Sequence, residues 1–183
     1  MTAAERRCGG APRGRTLAPV PGPDDAESTA DDALDVRRLR DDETAAVLAA
    51  GLGLSRLDPA TLRSASGFYL VAWSGARPVG HAHVAVTDPP ALQDVLVLPA
   101  ARGHGVGTAI VEAACLHARA LGAVRLWLKV SADNPSAGAL YARLGFADAG
   151  LPPEHVQGPV QIRTGVIQVD EVLTTLERSL LGT

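Results

Sequence analysis

A glycine-rich segment after an apolar run carries the residues of this chain best suited to chemistry. Positions 93 to 108 read QDVLVLPAARGHGVGT. Gly103, Gly105 and Gly107 lack the Cβ atoms that would keep a phosphate away from the main chain. The residues after them predict a helix, and the first N–H groups of a helix have no internal partner and carry partial positive charge. The pattern therefore predicts an anion-binding turn, which a pyrophosphate group fits.

Two other glycine-loop patterns do not fit this turn. A nucleoside-triphosphate loop places Lys and then Ser or Thr at the helix start, whereas Thr108 directly follows Gly107 here and no lysine is near. A dinucleotide-binding loop reads GxGxxG, with an acidic residue ~20 positions further on. Here the glycines alternate, and the next predicted strand ends in Lys129 and Val130. A tight turn without a ligand remains the structural alternative.

The turn and a second motif downstream resemble the signatures of the GNAT superfamily of N-acetyltransferases. Arg102-x-x-Gly105-x-Gly107 is similar to the pyrophosphate motif R/Q-x-x-G-x-G/A of that family, and Val97-x-Pro99 lies upstream at the family's spacing. The family's second signature is similar to the pattern formed by Asn134, Ala137, Leu140, Tyr141, Gly145 and Phe146. The clear resemblance spans residues 92 to 146, and the earlier elements agree with the family in order only.

The resemblance implies an enzyme that binds acetyl-CoA as a cosubstrate and transfers the acetyl group to an amine by direct attack in a ternary complex. The main chain around Leu96 and Val97 would pair with the pantetheine arm as an added strand does. The N–H of Val97 would face the thioester oxygen and stabilise the oxyanion. Asn134 would contact the cofactor arm, or else only cap the following helix. The implied cofactor-binding residues are Leu96, Val97, Arg102, Gly103, His104, Gly105, Val106, Gly107, Thr108, Asn134 and Tyr141.

By the same resemblance, Tyr141 is expected to be the general acid. A phenol with a pKa of about 10 is able to protonate the departing thiolate when it lies within hydrogen-bond reach. The alternative is that Tyr141 only packs against the cofactor or the core. No metal is implied.

The general base stays open. Relatives that acetylate ribosomal-protein N-termini carry a glutamate at the position of Lys129, and a lysine does not readily accept a proton. Asp94 on the cofactor strand is one candidate. The other two candidates are histidine-containing pairs, namely His81 with His83, and Glu154 with His155.

The hydrophobic pattern predicts an α+β fold around these residues. Strands 92–98 and 124–130 flank a helix and must run parallel, and the resemblance implies that these two strands splay within a mostly antiparallel mixed sheet with flanking helices. Asp41 or Asp42 is expected to cap the first helix. The elements, in chain order, are strand 35–39, helix 44–52, a weak helix 58–65, strands 68–73, 79–86 and 92–98, helix 105–121, strand 124–130, helix 136–144, strand 165–173 and a frayed end over 174–180.

The composition indicates where the folded domain begins and argues against nucleic-acid and membrane partners. Residues 1–33 are rich in Gly, Pro, Ala, Arg and Asp, so we expect a disordered tail, followed by one acetyltransferase domain over 34–183. The net charge of −3 gives no reason to expect a nucleic-acid partner. No apolar run approaches the ~20 residues of a membrane span, and no signal-peptide core follows the N-terminal arginines. Cys8 and Cys115 form no disulfide framework. These features favour a cytoplasmic protein.

Two alternatives remain at this stage. The amine acceptor is either a small molecule or a protein N-terminus or lysine. A domain of the same fold that binds acyl-CoA as a sensor or partner module, without turnover, is the rival of another class. The oligomeric state is not readable, although a homodimer formed through the C-terminal strand is one possibility by analogy.

Overall fold

Within residues 33–57, 66–162 and 165–181, which the computed structural model describes, the chain forms eight strands and three α-helices. The strands are β1 (Leu34–Arg38), β2 (Gly67–Ser74), β3 (Arg77–Ala85), β4 (Ala91–Val97), β5 (Arg125–Ser131), β6 (Ala147–Asp148), β7 (Glu154–Ile162) and β8 (Gly165–Ser179). The helices are α1 (Thr44–Ala49), α2 (Val106–Ala120) and α3 (Pro135–Arg143). The helices and strands predicted between residues 66 and 144 are confirmed, with ends that differ by one or two residues.

The strands form one mixed sheet in the order β1-β2-β3-β4-β5-β8-β6, and β7 pairs with β8 outside this path. The neighbours β4 and β5 run parallel, whereas the other pairs are antiparallel. The parallel pair is joined only where Ala91 faces Trp127 and Leu92 faces Leu128. Beyond these residues the two strands separate and open a gap in the middle of the sheet. The predicted fold class, an α+β chain with a splayed central pair, is confirmed.

A β-bulge in β4 lies at the point where this gap begins. His81 pairs with Leu96 and His83 pairs with Gln93, so β4 has one more residue than β3 between the two pairs. Asp94 occupies the bulge with a φ of 50°, a left-handed conformation that Asp tolerates better than most non-glycine residues. A bulge bends its strand and redirects a side chain. Here it turns β4 away from β5 and places Asp94 beside the opening.

Two apolar clusters cover opposite faces of the sheet. Side chains alternate between the faces along a strand, so Leu70 and Ala72 of β2 contact the first cluster while Tyr69 and Val71 contact the second. The first cluster is built by α2 and α3, with Ile110 fully buried at its centre. The second is built by α1 and the segment 52–57, through Val47, Leu52 and Leu54. The two faces of β4 consequently meet different surroundings.

The start of α1 differs from the prediction. The helix begins at Thr44 after a short 3-10 turn, and no side chain caps it, so the proposed cap by Asp41 or Asp42 is wrong. The carboxylate of Glu43 instead accepts two hydrogen bonds from the guanidinium of Arg37, at 2.8 and 2.7 Å. A bidentate, charge-assisted pair of this kind is stronger than a neutral cap, and it fixes the turn against β1.

The C-terminal part also differs from the prediction. The expected frayed end over 174–180 is wrong, because β8 continues to Ser179 and pairs with β5 from Leu173 onwards. The strand β7 was not predicted, since its side chains over 154–159 are mostly exposed and show no apolar alternation. Its main chain is paired with β8 instead. Main-chain pairing with β5 therefore extends β8, and main-chain pairing with β8 forms β7.

Two predicted segments are not tested here. The tail at 1–33 lies outside the described residues apart from Ala33, and so does the weak helix at 58–65. Among the helices of the described ranges, none combines the length and apolar character that crossing a membrane requires.

Candidate active site

A cleft of about 700 Å³ opens between the splayed part of β4, the start of α2 and the length of α3. The glycine-rich turn forms one end, and Tyr141 contributes to its wall. Ten of the eleven residues proposed to bind the cofactor line this cleft, and His104 does not. The lining residues are Val95, Leu96, Val97, Ala101, Arg102, Gly103, Gly105, Val106, Gly107, Thr108, Asn134, Ser136, Ala137, Ala139, Leu140, Tyr141 and Arg143.

The glycine turn positions the first N–H groups of α2 at the end of the cleft. Gly103 and Gly105 both have a φ of 80°, a conformation that other residues rarely adopt. The first bond within the helix runs from the N–H of Ala109 to the carbonyl of Gly105, at 3.0 Å, so the N–H groups before Ala109 lie ahead of the helical ladder. They point out of the helix N-terminus, where an anion is stabilised by the helix dipole.

Gly107 has a different role, because it lets two helices approach each other. A Cβ at this position would lie 3.2 Å from Cδ2 of Leu140 and 3.9 Å from Cγ2 of Val97. The first of these distances is shorter than an ordinary carbon–carbon contact. A side chain at Gly107 would therefore displace Leu140 on α3 by a few tenths of an ångström, while its contact with Val97 would be an ordinary one.

The main chain of Val97 faces the gap between β4 and β5. The N–H of Leu98 donates to the carbonyl of Val79 at 2.9 Å, and a Cβ on Gly80 would lie 2.9 Å from the carbonyl oxygen of Leu96. Main-chain groups alternate in direction along a strand, so Leu96 and Leu98 point their polar groups toward β3 and Val97 points its groups toward the gap. Leu96 therefore contributes to the wall of the cleft through other atoms.

Arg102 and His104 fold back on the turn. The Nε of Arg102 donates to the carbonyl of Val97 at 3.1 Å. The Nδ1 of His104 contacts the carbonyl of Arg102 at 2.9 Å, outside the cleft. Arg102 thus connects the turn to the end of β4 and still borders the cleft, while the side chain of His104 only supports the backbone of the turn.

Tyr141 is held on α3 with its side chain largely buried. The residue is 6% exposed and its ring meets that of Phe146 edge-on, at 5.8 Å. Burial raises the pKa of the Tyr141 hydroxyl above its ordinary value, since charge is disfavoured away from water. The phenol consequently keeps its proton at neutral pH and faces the cleft as a hydrogen-bond donor.

Asn134 makes the contact that its position before Pro135 predicts. Its side-chain oxygen accepts a hydrogen bond from the N–H of Ala137 at 3.1 Å, which caps α3. Pro135 occupies the first helical position, where the absence of an N–H costs nothing. Asn134 therefore fixes the start of the helix that carries Tyr141, and it also borders the cleft.

The opposite face of β4 carries a second polar group, centred on Asp94. The hydroxyl of Tyr69 donates to Oδ2 of Asp94, and the N–H of Ser55 donates to the same oxygen at 3.1 Å. The N–H of Arg56 donates to the Tyr69 hydroxyl at 2.8 Å. Burial, with the neighbouring carboxylate, raises the pKa of Tyr69, which keeps its proton. These bonds tie the segment 52–57 to the bulge at the edge of the gap.

A sequence comparison assigns the family. The profile of the acetyltransferase (GNAT) family matches residues 34–146, which include every strand and helix from β1 to α3. The chain belongs to the GNAT acetyltransferase family. The family predicted from the glycine turn and the second motif is confirmed.

Similar proteins agree with this GNAT assignment. The chain is 38% identical over 102 residues to the mycothiol acetyltransferase of Acidothermus cellulolyticus, which takes in 48% of this chain and 30% of that protein. It is 40% identical over 67 residues to the streptothricin acetyltransferase of Streptomyces lavendulae, covering 37% of this chain and 35% of that protein. The matches thus span only about a third of the length of these curated relatives.

Among solved structures, the ribosomal-protein-S18-alanine N-acetyltransferase of Escherichia coli has the same fold. The two superpose with a TM-score of 0.61 at 20% identity, over 82% of this chain and 96% of that one. At this identity the likeness concerns the fold alone.

The base candidates of this GNAT chain fall at different places. Asp94 lies at the bulge of β4. His81 and His83 lie on the neighbouring strand β3, on either side of this bulge, and both are 1% exposed. The ammonium of Lys129 contacts the carboxylate of Glu154, with both side chains about half exposed. His155 contacts Asp170 at 2.6 Å on the exposed β7–β8 pair. Asp94, His81 and His83 are therefore grouped together, whereas Glu154 and His155 belong to separate contacts.

Sequence reasoning missed several residues of the GNAT cleft. Arg143 at the end of α3 brings a second cation to the lining besides Arg102, and Ser136 brings a hydroxyl. The available signal was the helical spacing, because Ser136, Ala139 and Arg143 lie three or four residues apart and so share one side of α3. The role of Asp94 in holding the segment 52–57 had no signal in the sequence.

Proposed function

We propose that this protein transfers an acetyl group from acetyl-CoA to a primary amine of a small molecule. The proposal rests on one observation: the glycine turn, Val97 and Tyr141 line the same cleft. This brings together the N–H groups of the turn, the main chain of a strand and a phenol. An anion site, a strand with open polar groups and a proton donor are the three elements that acyl transfer from a phosphate-bearing thioester requires.

The cleft has the size and chemistry to hold acetyl-CoA. A volume of about 700 Å³ lies within the usual range for ligand pockets. The N–H groups at the start of α2 would hold the pyrophosphate, with Arg102 and Arg143 as nearby cations. The main chain of Val97 would hold the pantetheine arm as an added strand. When bound, acetyl-CoA supplies a thioester that is activated toward an amine.

Two groups of the chain would then act on the bound thioester, one at its carbonyl oxygen and the other at its sulfur. The N–H of Val97 would donate to the carbonyl oxygen as charge develops on it, which is a form of electrostatic stabilisation that mutation typically shows to be worth roughly 3 kcal/mol or more. Tyr141 would donate its proton to the leaving sulfur. The raised pKa of Tyr141 supports this role, because the group stays protonated throughout the neutral range.

Asp94 would meet the amine from the other face of β4. Its carboxylate is only partly buried and lies at the edge of the gap, on the face that α1 and the segment 52–57 cover. An ammonium is attracted to this carboxylate, and a proton removed there leaves the neutral amine that attacks the thioester. Tyr69 and Ser55 orient the carboxylate by donating to one of its oxygens.

A small-molecule acceptor is favoured over a protein N-terminus. The curated relatives are named for mycothiol and streptothricin. The glutamate expected of enzymes that act on ribosomal-protein N-termini is replaced by Lys129, whose ammonium is paired with the carboxylate of Glu154. This position therefore offers no base for an N-terminal amine, which leaves the acceptor to be met by Asp94.

Two measurements test the proposal. Calorimetry with acetyl-CoA measures binding to the purified chain. A thiol-release assay then follows CoA production with a panel of primary amines that includes streptothricin, and with an N-terminal peptide for comparison. Binding with amine-dependent thiol release would support the proposal, and binding without release from any amine would favour a non-catalytic acyl-CoA-binding module. Absence of binding by a well-folded protein would overturn both.

A further inference from the structure

His81 is a buried imidazole that the proposed reaction does not yet use. The residue is 1% exposed, and within the described residues neither of its ring nitrogens makes a hydrogen bond of regular geometry. A buried polar group without a partner destabilises the folded protein. An apolar side chain of similar size would avoid that cost in this core, so the imidazole calls for a reason beyond packing.

The groups around His81 come from every element packed against it. The ring of Tyr69 on β2 meets His81 edge-on at 5.3 Å, and meets His83 on β3 at 5.0 Å. Asp94 on β4 presents both its carboxylate and its backbone carbonyl, the latter short of regular hydrogen-bond geometry. Burial lowers the pKa of His83, and the positive charge of Arg56, on the segment before β2, lowers it further. The anion that faces His81 is therefore the carboxylate of Asp94.

The charge balance at His81 suits a proton acceptor. Burial lowers the pKa of the His81 imidazole, and the carboxylate and carbonyl of Asp94 oppose this decrease. The ring is therefore neutral at neutral pH and has a free lone pair. Once protonated, it would find its counter-ion already in place, as an imidazolium does beside a carboxylate in acid–base sites.

We propose that His81 receives, by way of Asp94, the proton that the acceptor amine loses; this inference rests on the proposed acetyl transfer. The N–H bond of the amine breaks and the proton binds a carboxylate oxygen of Asp94. The proton then passes from that oxygen, through a bridging water molecule, to a ring nitrogen of His81, which regenerates the carboxylate and leaves an imidazolium near it. The imidazolium returns the proton to water before the next turnover. His81 does not touch the amine and acts through Asp94.

The imidazole of His81 offers the proton a second acceptor besides the carboxylate of Asp94. Both mapped donors, the hydroxyl of Tyr69 and the N–H of Ser55, contact Oδ2 of Asp94. Oδ1 is accordingly the oxygen through which we route the proton. Asp94 therefore takes the proton from the amine, and His81 takes it on from Asp94.

The first test needs neither substrate. Nuclear magnetic resonance titration of the imidazole groups gives the pKa of each of the five histidines, and the spectrum of the His81→Gln variant identifies the signals of His81. In Asp94→Asn the pKa of His81 should fall, because the charge that favours the imidazolium is removed. A His81 pKa that is the same in both proteins would overturn the coupling between the two groups.

The second test follows the pH dependence of thiol release with the amine that the screen identifies, or with streptothricin. His81→Gln should lower kcat at neutral pH by about 10- to 100-fold, shift the acidic limb of the profile and leave KM for acetyl-CoA unchanged. His83→Gln changes a residue on the same strand that contacts the same tyrosine, and it should leave the acidic limb where it is in the wild type. A shift of the limb in His83→Gln but not in His81→Gln would overturn the assignment.

The two proposals fail in different experiments. If acetyl-CoA does not bind in calorimetry, acetyl transfer fails whatever the titration shows. If acetyl-CoA binds and thiol is released while His81→Gln keeps the wild-type profile, only the role of His81 fails. If His81→Gln does not fold, the His81 signals are assigned instead from through-bond spectra of the isotope-labelled wild type. The comparison of wild type with Asp94→Asn then still decides, since Asp94 is only partly buried and Asp and Asn have nearly the same shape.

Discussion

The hydroxyl of Tyr69 donates a hydrogen bond to the carboxylate of Asp94, and this contact joins the centre of β2 to the bulge of β4. The same hydroxyl accepts a hydrogen bond from the N–H of Arg56. One phenol thereby links two strands and the segment 52–57. The cleft lined by the glycine turn lies across β4 from this contact.

We expect Tyr69→Phe to lower the free energy of unfolding by about 1–2 kcal/mol, because the change leaves the N–H of Arg56 without this acceptor and Asp94 without this donor. Urea denaturation measures the difference. The Kd for acetyl-CoA should stay within a factor of about three, since Tyr69 does not line the cleft. A large loss of cofactor binding with unchanged stability would contradict this division between the two faces.

Gly105→Glu should weaken acetyl-CoA binding by at least about 100-fold, because a carboxylate at the helix N-terminus competes with the pyrophosphate and repels it. Calorimetry measures the change. Gly122→Glu is the matched control, since Gly122 has a φ of 84° against 80° for Gly105 and no atom lies within 4 Å of an added Cβ at either site. Both variants carry a similar backbone cost. Equal loss of binding in the two would show that strain, rather than the anion site, caused it.

Tyr141→Phe should lower kcat by about 100-fold or more while the Kd for acetyl-CoA changes little, because only proton donation to the sulfur is removed. The pKa of Tyr141 is raised, so the wild-type activity should decline only above the ordinary tyrosine value of about 10 as the phenol loses its proton. A pH profile of thiol release measures both effects. Unchanged turnover of several amines by the variant would exclude Tyr141 as the acid.

Glu43→Gln tests the ion pair that holds the start of α1. The guanidinium of Arg37 holds the pKa of the Glu43 carboxyl below its ordinary value. A group with a lowered pKa in the folded state stabilises the protein above its unfolded value of about 4.3 and loses that contribution as the pH falls through the lower, folded value. We expect the variant to lose roughly 1–3 kcal/mol at pH 7 and less near pH 3.

Urea denaturation at the two pH values measures this dependence. Asp42→Asn provides the comparison, because the side chain of Asp42 is 78% exposed in its contact with Arg40 and such pairs contribute little. If both variants lose the same stability at both pH values, the buried pair of Arg37 and Glu43 is not what stabilises this turn.

The glycine turn and the second motif were predictable because both act through local geometry. Gly103 and Gly105 adopt positive φ values that their sequence permits and other residues resist, and Asn134 caps the helix directly after it. These interactions span only a few residues, so their spacing in the chain is enough to indicate them. The helices and strands around them follow from apolar periodicity for the same reason.

The contacts of Asp94 were not predictable in the same way. Asp94 meets Ser55 across 39 positions and Tyr69 across 25, and neither contact leaves a periodic trace in the sequence. The bulge that turns Asp94 toward them exists only because β4 has one more residue than β3 between two paired positions. Likewise β8 extends over the mostly polar residues 174–179 because β5 pairs with it.

The sequence by itself determined the family, the elements between residues 66 and 144 and the position of the glycine turn, since each depends on residue type and short spacing. Only the tertiary structure decided which of the candidate general bases lie close to one another. Main-chain pairing between distant strands placed Asp94 in the bulge between the partners of His81 and His83, and left Glu154 in a contact with Lys129. The physical reason is that strand register is fixed by partners far along the chain, so no local pattern records which side chains it brings together.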